Sequence, residues 1–188
     1  MIKATDMKKG MVLRIDNKLV VVVEYQHVKL GKGGAVLQTK FKNVLDGLTT
    51  NKRIRSEESL EDVFVDKQEY EYLYSAGDEH FLMHKETFDQ ITIGNDLFGD
   101  GPKYLKPNID VEVQYFDGKA LNVVLPNSVE LEVTDTPPAI KGATATNQYK
   151  KATMETGLEI TVPPFIENGE LIRIDTRTGE YLERAKSK

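Results

Sequence analysis

Apolar and polar residues alternate in short runs along most of the chain, and turn pairs cut the runs at close intervals. Alternation of this kind predicts strands, because successive side chains of a strand face opposite sides. Strands are predicted over 11–15, 18–24, 35–41, 70–74, 80–83, 110–115, 119–124, 129–133, 159–162 and 170–175. The turns between them come from pairs such as Asp46-Gly47, Gly77-Asp78, Asp117-Gly118, Asn168-Gly169 and Thr178-Gly179, where glycine supplies the positive φ a tight turn needs. A single short helix is predicted over 85–90, with Met83, Phe88 and Ile91 on its apolar face, and 94–102 reads as a loop with room for another helical turn. So many short strands suit small barrels better than one sandwich, so the predicted fold class is all-β. Pro126-Asn127 ends one run of strands, and Asp135-Thr136-Pro137-Pro138 stiffens the entry to an irregular stretch that continues to Gln148. Three domains are therefore expected, at 1–64, 65–126 and 127–188. Each is small enough to bury only about 60% of its unfolded surface, which makes it lean on its neighbours.

With 39% hydrophobic and 29% charged residues the chain reads as a soluble globular protein. No apolar stretch approaches the ~20 residues a membrane helix needs, so no membrane partner is expected. The first residues, Met1-Ile2-Lys3-Ala4-Thr5-Asp6, lack the pattern of a secretory signal, and the expected location is the cytoplasm. With no cysteine, disulfides, thiolate nucleophiles and thiolate metal sites are excluded. The net charge of −5 argues against nucleic acid until it is divided along the chain. Residues 1–64 carry 12 Lys and Arg against 8 Asp and Glu, residues 65–126 carry 5 against 12, and residues 127–188 carry 8 against 10. A basic N-terminal segment can face phosphates while acidic segments keep the rest soluble, since attraction fades within a Debye length of ~8–10 Å.

Lys32 is the most informative residue. It sits in Gly31-Lys32-Gly33-Gly34 between two strand-like runs, so a hairpin would lift one cation to its tip and clear side chains from around it. The plain alternative is a solvated lysine in a glycine turn. Lys29 lies two residues before that turn, and Lys40 and Lys42, with Lys52, Arg53 and Arg55, form a basic set able to follow a phosphate backbone or simply to stay solvated. The glycine turn lacks the first glycine and the Ser/Thr of a phosphate-binding loop, and a strand follows where that motif needs a helix. Catalysis has little to stand on. His80 and His84 have the spacing of a metal pair, but no third ligand is evident and no activated nucleophile accompanies them. A hydrolase built on His80 and His84 is the enzyme alternative. Near the C-terminus Tyr181 and Arg184 could stack or pair with RNA, and the small-residue loop Lys141-Gly142-Ala143-Thr144 could approach a sugar-phosphate chain.

Taken together these residues resemble the bacterial elongation factor P family, over essentially the whole chain. The specific passages are His27-Val28-Lys29-Leu30-Gly31-Lys32-Gly33-Gly34-Ala35, Val129-Glu130-Leu131-Glu132-Val133-Thr134-Asp135-Thr136 and Lys151-Ala152-Thr153-Met154-Glu155-Thr156-Gly157-Leu158. A fourth runs from Val162-Pro163 through Gly169-Glu170-Leu171-Ile172-Arg173-Ile174-Asp175-Thr176-Arg177-Thr178-Gly179-Glu180-Tyr181. The resemblance implies three small β-barrels, the first KOW/SH3-like and the others OB-like, in an L of tRNA-like outline. It implies a factor without catalytic residues, cofactor or metal, which binds both ribosomal subunits beside the peptidyl-tRNA and relieves stalls at consecutive prolines. Lys32 would be the residue extended by a lysine-modifying enzyme, supported by Lys29, Gly31, Gly33 and Gly34. RNA contacts would come from Lys40, Lys42, Arg53, Arg55, Gly142, Thr144, Tyr181 and Arg184. A monomer is expected. Leu30 stands where the family usually has proline, and Ala143 replaces an acidic residue common in the third domain's loop. The alternative is a general single-stranded RNA binder, which would need stacking aromatics on a barrel face.

Overall fold

The computed structural model describes residues 1–30, 34–138 and 149–185, and of Lys29, Leu30 and Gly34 it describes the backbone. The expected all-β class is what the chain adopts. The first sheet holds β1 (Ile2–Lys3), β2 (Val12–Ile15), β3 (Lys18–Leu30), β4 (Gly34–Asn43), β5 (Thr49–Arg55) and β6 (Ser59–Asp62), in the order β1-β6-β2-β3-β4-β5. The second holds β7 (Asp66–Ala76), β8 (Glu79–His84) and β9 (Gln90–Gly94), then, after the single-turn helix α1 (Asn95–Phe98), β10 (Asp110–Phe116) and β11 (Lys119–Val124), in the order β11-β10-β7-β8-β9. The third holds β12 (Ser128–Asp135), β13 (Lys150–Met154), β14 (Glu159–Val162), β15 (Leu171–Asp175) and β16 (Tyr181–Arg184), in the order β14-β13-β12-β15-β16.

The predicted turns follow from local chemistry. Asp117 and Gly118 both take positive φ, 49° and 75°, the pairing that matches the twist of two antiparallel strands. Asp16 and Asn17 do the same without glycine, at 50° and 63°, which short polar side chains tolerate.

Residues 85–90 do not form the expected helix. They make the turn between β8 and β9, in which the backbone N–H groups of Glu86 and Thr87 both donate to His84 Nδ1 at 3.1 Å, and His84 N and Phe88 N bond to the carbonyls of Asp89 and His84. Phe88, assigned to an apolar helix face, sits at φ 63° and is 68% exposed. A stretch this short has too few turns to repay helix nucleation, and the His84 cap holds the competing conformation. β3 also runs six residues past its expected end at 24, and the predicted set contains no counterpart of β1, β5, β6, β9, β13 or β16.

The chain condenses into two compact units, Met1–Gln68 with Val113–Val124, and Glu69–Glu112 with Leu125–Lys188. In the first, Ala4, Met7, Leu13, Val20, Val22, Leu37, Phe41, Ile54 and Leu60 make the barrel core. Because β3 is apolar on both sides at its base, Val21 faces the other way and packs with Val12 and Leu121, against which Leu19, Val44, Val63, Val65 and Phe116 also lie. In the second unit, the inward residues of β12 to β15 close around Leu131, Val133, Ile166, Ile172 and Ile174, with Tyr104 and Ile109 packed against them. Thr156 Oγ1 donates to the Lys103 carbonyl at 2.6 Å and Lys106 pairs with Glu155 at 3.1 Å, tying the 103–109 stretch to this third sheet.

Candidate nucleic-acid interface

The hairpin of β3 and β4 is built by alternation with one interruption. Val20, Val21 and Val22 pair with Asn43, Lys42 and Phe41, after which the register shifts between Val22 and Glu24, so that Glu24 meets Lys40. From there the pairing is unbroken out to Lys29 opposite Ala35 and Leu30 opposite Gly34. The three residues that join the strands, Gly31, Lys32 and Gly33, lie outside the described residues. On the core side Tyr25 packs against the barrel core, and the exposed His27 ring meets it edge-on at 5.8 Å.

The opposite side carries charge. Strand alternation puts Gln38, Lys40 and Lys42 on one face of β4, while Leu37, Thr39 and Phe41 are buried on the other. β5 pairs so that Val36, Gln38, Lys40 and Lys42 lie opposite Arg55, Arg53, Asn51 and Thr49. The structure therefore brings Lys40, Lys42, Arg53 and Arg55 onto one face, and none of the four forms an ion pair with a described residue. Lys52, counted with them in the sequence, points to the other side and pairs with Asp16 at 2.8 Å. A shallow depression of about 610 Å³ is lined by Glu24, Gln26, Gln38, Lys40, Asn51 and Arg53 of this face, with Thr39 and Lys52 of the opposite parity also contributing. Amides between the cations add donors and acceptors suited to sugar and base edges. Gln26 and Asn51 escape a reading of the sequence that ends β3 at 24 and has no strand at β5; the available signal is the alternation of Glu24 and Gln26 with Tyr25 between them.

In the third sheet Tyr181 and Arg184 lie on the edge strand β16. Tyr181 is half-buried against the core, opposite Ile174, so its ring is packed more than presented. Arg184 donates to both carboxylate oxygens of Glu170 at 3.1 Å and to the Phe165 carbonyl at 3.0 Å, and its guanidinium lies 4.7 Å over the Phe165 ring. Its side chain is still 52% exposed. Gly142 and Thr144 fall outside the described residues.

Models of three domains match the chain in order: the KOW-like domain of elongation factor P over residues 3–60, its OB domain over 65–123, and its C-terminal domain over 129–184. The elongation factor P of Clostridium botulinum (strain Eklund 17B / Type B) is 44% identical over 184 residues, covering 98% of this chain and 100% of its own. That of Moorella thermoacetica is 44% identical over 185 residues, with the same coverage, and that of Corynebacterium urealyticum is 46% identical over 184 residues and 98% of each chain. The chain belongs to the elongation factor P family. Membership gives it the role of a translation elongation factor. A solved eukaryotic translation initiation factor 5A from Methanococcus jannaschii aligns with 65% of this chain and 94% of its own at 21% identity and a TM-score of 0.36.

The elongation factor P KOW-like match spans the whole β3–β4–β5 surface. The OB match contains His80 and His84, the pair behind the hydrolase alternative. His80 is 2% exposed, with Nδ1 2.7 Å from Ser75 Oγ and Nε2 2.5 Å from Asn95 Oδ1. Ser75 also bonds the Tyr72 hydroxyl, and Asn95 Nδ2 donates to Asp78 at 2.8 Å. This chain satisfies both ring nitrogens and ties β7, β8 and α1 together, which is a structural use of histidine. His84 caps its turn, as described above. Among the described residues no three His, Asp or Glu side chains gather as a metal site would require.

Proposed function

We propose that this elongation factor P family member acts on the ribosome, contacting both subunits beside the peptidyl-tRNA, and stimulates peptide-bond formation at consecutive prolines through Lys32. The observation that carries the reading is the hairpin register. Strands paired without a break to Leu30 and Gly34 leave only three residues between them, and Lys32 is the middle one. Its neighbours in the sequence, Gly31 and Gly33, have no side chains of their own. Extension by a lysine-modifying enzyme would add length and hydrogen-bond donors. Holding the tRNA acceptor end in a reactive geometry lowers a barrier through orientation, each ~1.4 kcal/mol being about tenfold in rate. The factor itself supplies no catalytic group; the ribosome performs the chemistry. Lys29, Gly31, Gly33 and Gly34 would shape the loop. Lys40, Lys42, Arg53 and Arg55 would track phosphates from the barrel face, and Gly142, Thr144, Tyr181 and Arg184 would approach RNA from the third domain. We further propose domains at 1–64, 65–126 and 127–188, a cytoplasmic location and a monomeric state.

The test is synthesis of a reporter with consecutive prolines in a purified translation system. Lys32→Ala should abolish stimulation, leave a proline-free reporter unchanged, and leave the thermal midpoint of the factor unmoved. Stimulation that survives in Lys32→Ala would overturn the role of this lysine, and intact mass of protein from its native cell reads the modification directly.

A further inference from the structure

The outer face of the β7–β8–β9 ribbon carries Tyr74, which is exposed, with Phe81 and Met83, which are half-buried. Tyr72, His80 and Leu82 point inward and are buried. The register places Tyr74 opposite Phe81, Phe81 opposite Thr92, and Glu71 opposite Met83, all on the other side. The Tyr74 and Phe81 rings are stacked, with centroids 4.5 Å apart and planes at 17°, and Tyr74 is 52% exposed. Carboxylates frame this pair. Glu71 shares its face beside Met83, Glu79 lies opposite Ala76 at the far end, and Glu69 precedes Tyr70 on β7. None of the three forms an ion pair with a described residue; Lys85, whose charge interacts with Glu69 and Glu71, makes its ion pair with Asp110. Residues 65–126 as a whole carry 12 acidic against 5 basic side chains.

We propose that this face docks an arginine-rich protein segment. A stacked aromatic pair offers an open π surface, and flanking carboxylates offer paired oxygen acceptors at its ends. A guanidinium matches both, since it is planar, permanently charged and able to stack and fork at once. A single-stranded RNA could stack a base on Tyr74, but its phosphates would then meet Glu71 and Glu79. The charge thus selects peptide over nucleic acid. Arginine is preferred over lysine, whose compact ammonium cannot stack in the same way.

The test is titration of the full chain with a fluorescent peptide of alternating arginine and glycine, alongside its lysine counterpart and a uridine oligonucleotide. The arginine peptide should bind most tightly. Tyr74→Ala should weaken it about fivefold, the scale of one exposed cation–π contact, and Tyr74→Phe should restore it. Glu79→Gln should weaken binding, and Glu159→Gln, which removes an exposed carboxylate from β14 in the third sheet, should not. Equal loss from Glu159→Gln would reduce the effect to diffuse attraction and overturn the proposal. So would absence of peptide binding, or a Tyr74-dependent affinity for the oligonucleotide instead.

Discussion

A carboxylate that is 6% exposed needs a fixed partner, and Asp175 has one in Arg177. The guanidinium donates to both Asp175 oxygens, at 2.6 and 3.1 Å, and Arg177 N adds a bond of 2.8 Å. These bonds outweigh burial and hold the Asp175 carboxyl down at about 2. Since the folded value lies below the ordinary ~3.9, the pair stabilises the fold above about pH 4, and that contribution is lost as pH falls from there toward 2. With Arg177 largely exposed, about 1–2 kcal/mol is a fair scale after screening. Asp175→Asn should lower the melting temperature at neutral pH and flatten its decline between pH 4 and 2, as acid titration followed by circular dichroism would read. Neither this pair nor the Arg184 clasp on Glu170 was legible in the sequence. Both depend on a turn or a strand edge that brings residues together, and spacing alone presents Arg184 as a free surface cation.

Elements were more legible than their limits. The inward apolar period gave the base of β3 and most of β4, because Val20, Val22, Leu37 and Phe41 must all reach one core. β5 escaped because Thr49-Thr50-Asn51-Lys52-Arg53-Ile54-Arg55 buries a single side chain, Ile54, and an edge strand of polar residues has no pattern to separate it from a loop. Yet that strand turns a list of basic residues into a surface. If Lys40 and Arg53 meet phosphates, replacing either with Gln should weaken ribosome binding at every salt concentration and make the dependence on log salt shallower by about one unit. A slope equal to that of the unmodified factor would remove the residue from the contact set. The misread helix at 85–90 failed for the opposite reason: three apolar residues at suitable spacing outvoted a histidine able to cap a turn.

At the scale of the molecule, the sequence conveyed three runs of strands and their sharply unequal charge, but not how the runs share cores. Val12 and Val21 of the N-terminal barrel enclose Leu121, which is far away in the chain and 7% exposed. No local pattern announces that contact; the second apolar face of β3 was the one hint that something must cover it. Leu121→Ala should cost about 2–4 kcal/mol and should raise hydrogen exchange in β2 and β3 as well as in β11. Protection changes confined to β11 would mean that the barrel does not depend on this cover.

The register shift between Val22 and Glu24 has a further consequence for how such a hairpin can change over generations. Beyond it, residues of one parity build the core side and those of the other parity build the side that carries Gln26, Gln38 and Lys40. Insertion or loss of one residue in each strand at that shift would exchange the two sides beyond it, turning Tyr25 to water and Gln26 toward the core. Changes of length made at its base are therefore held to steps of two residue pairs, quanta of roughly 7 Å in reach, while changes nearer the tip leave the packing of Tyr25 alone.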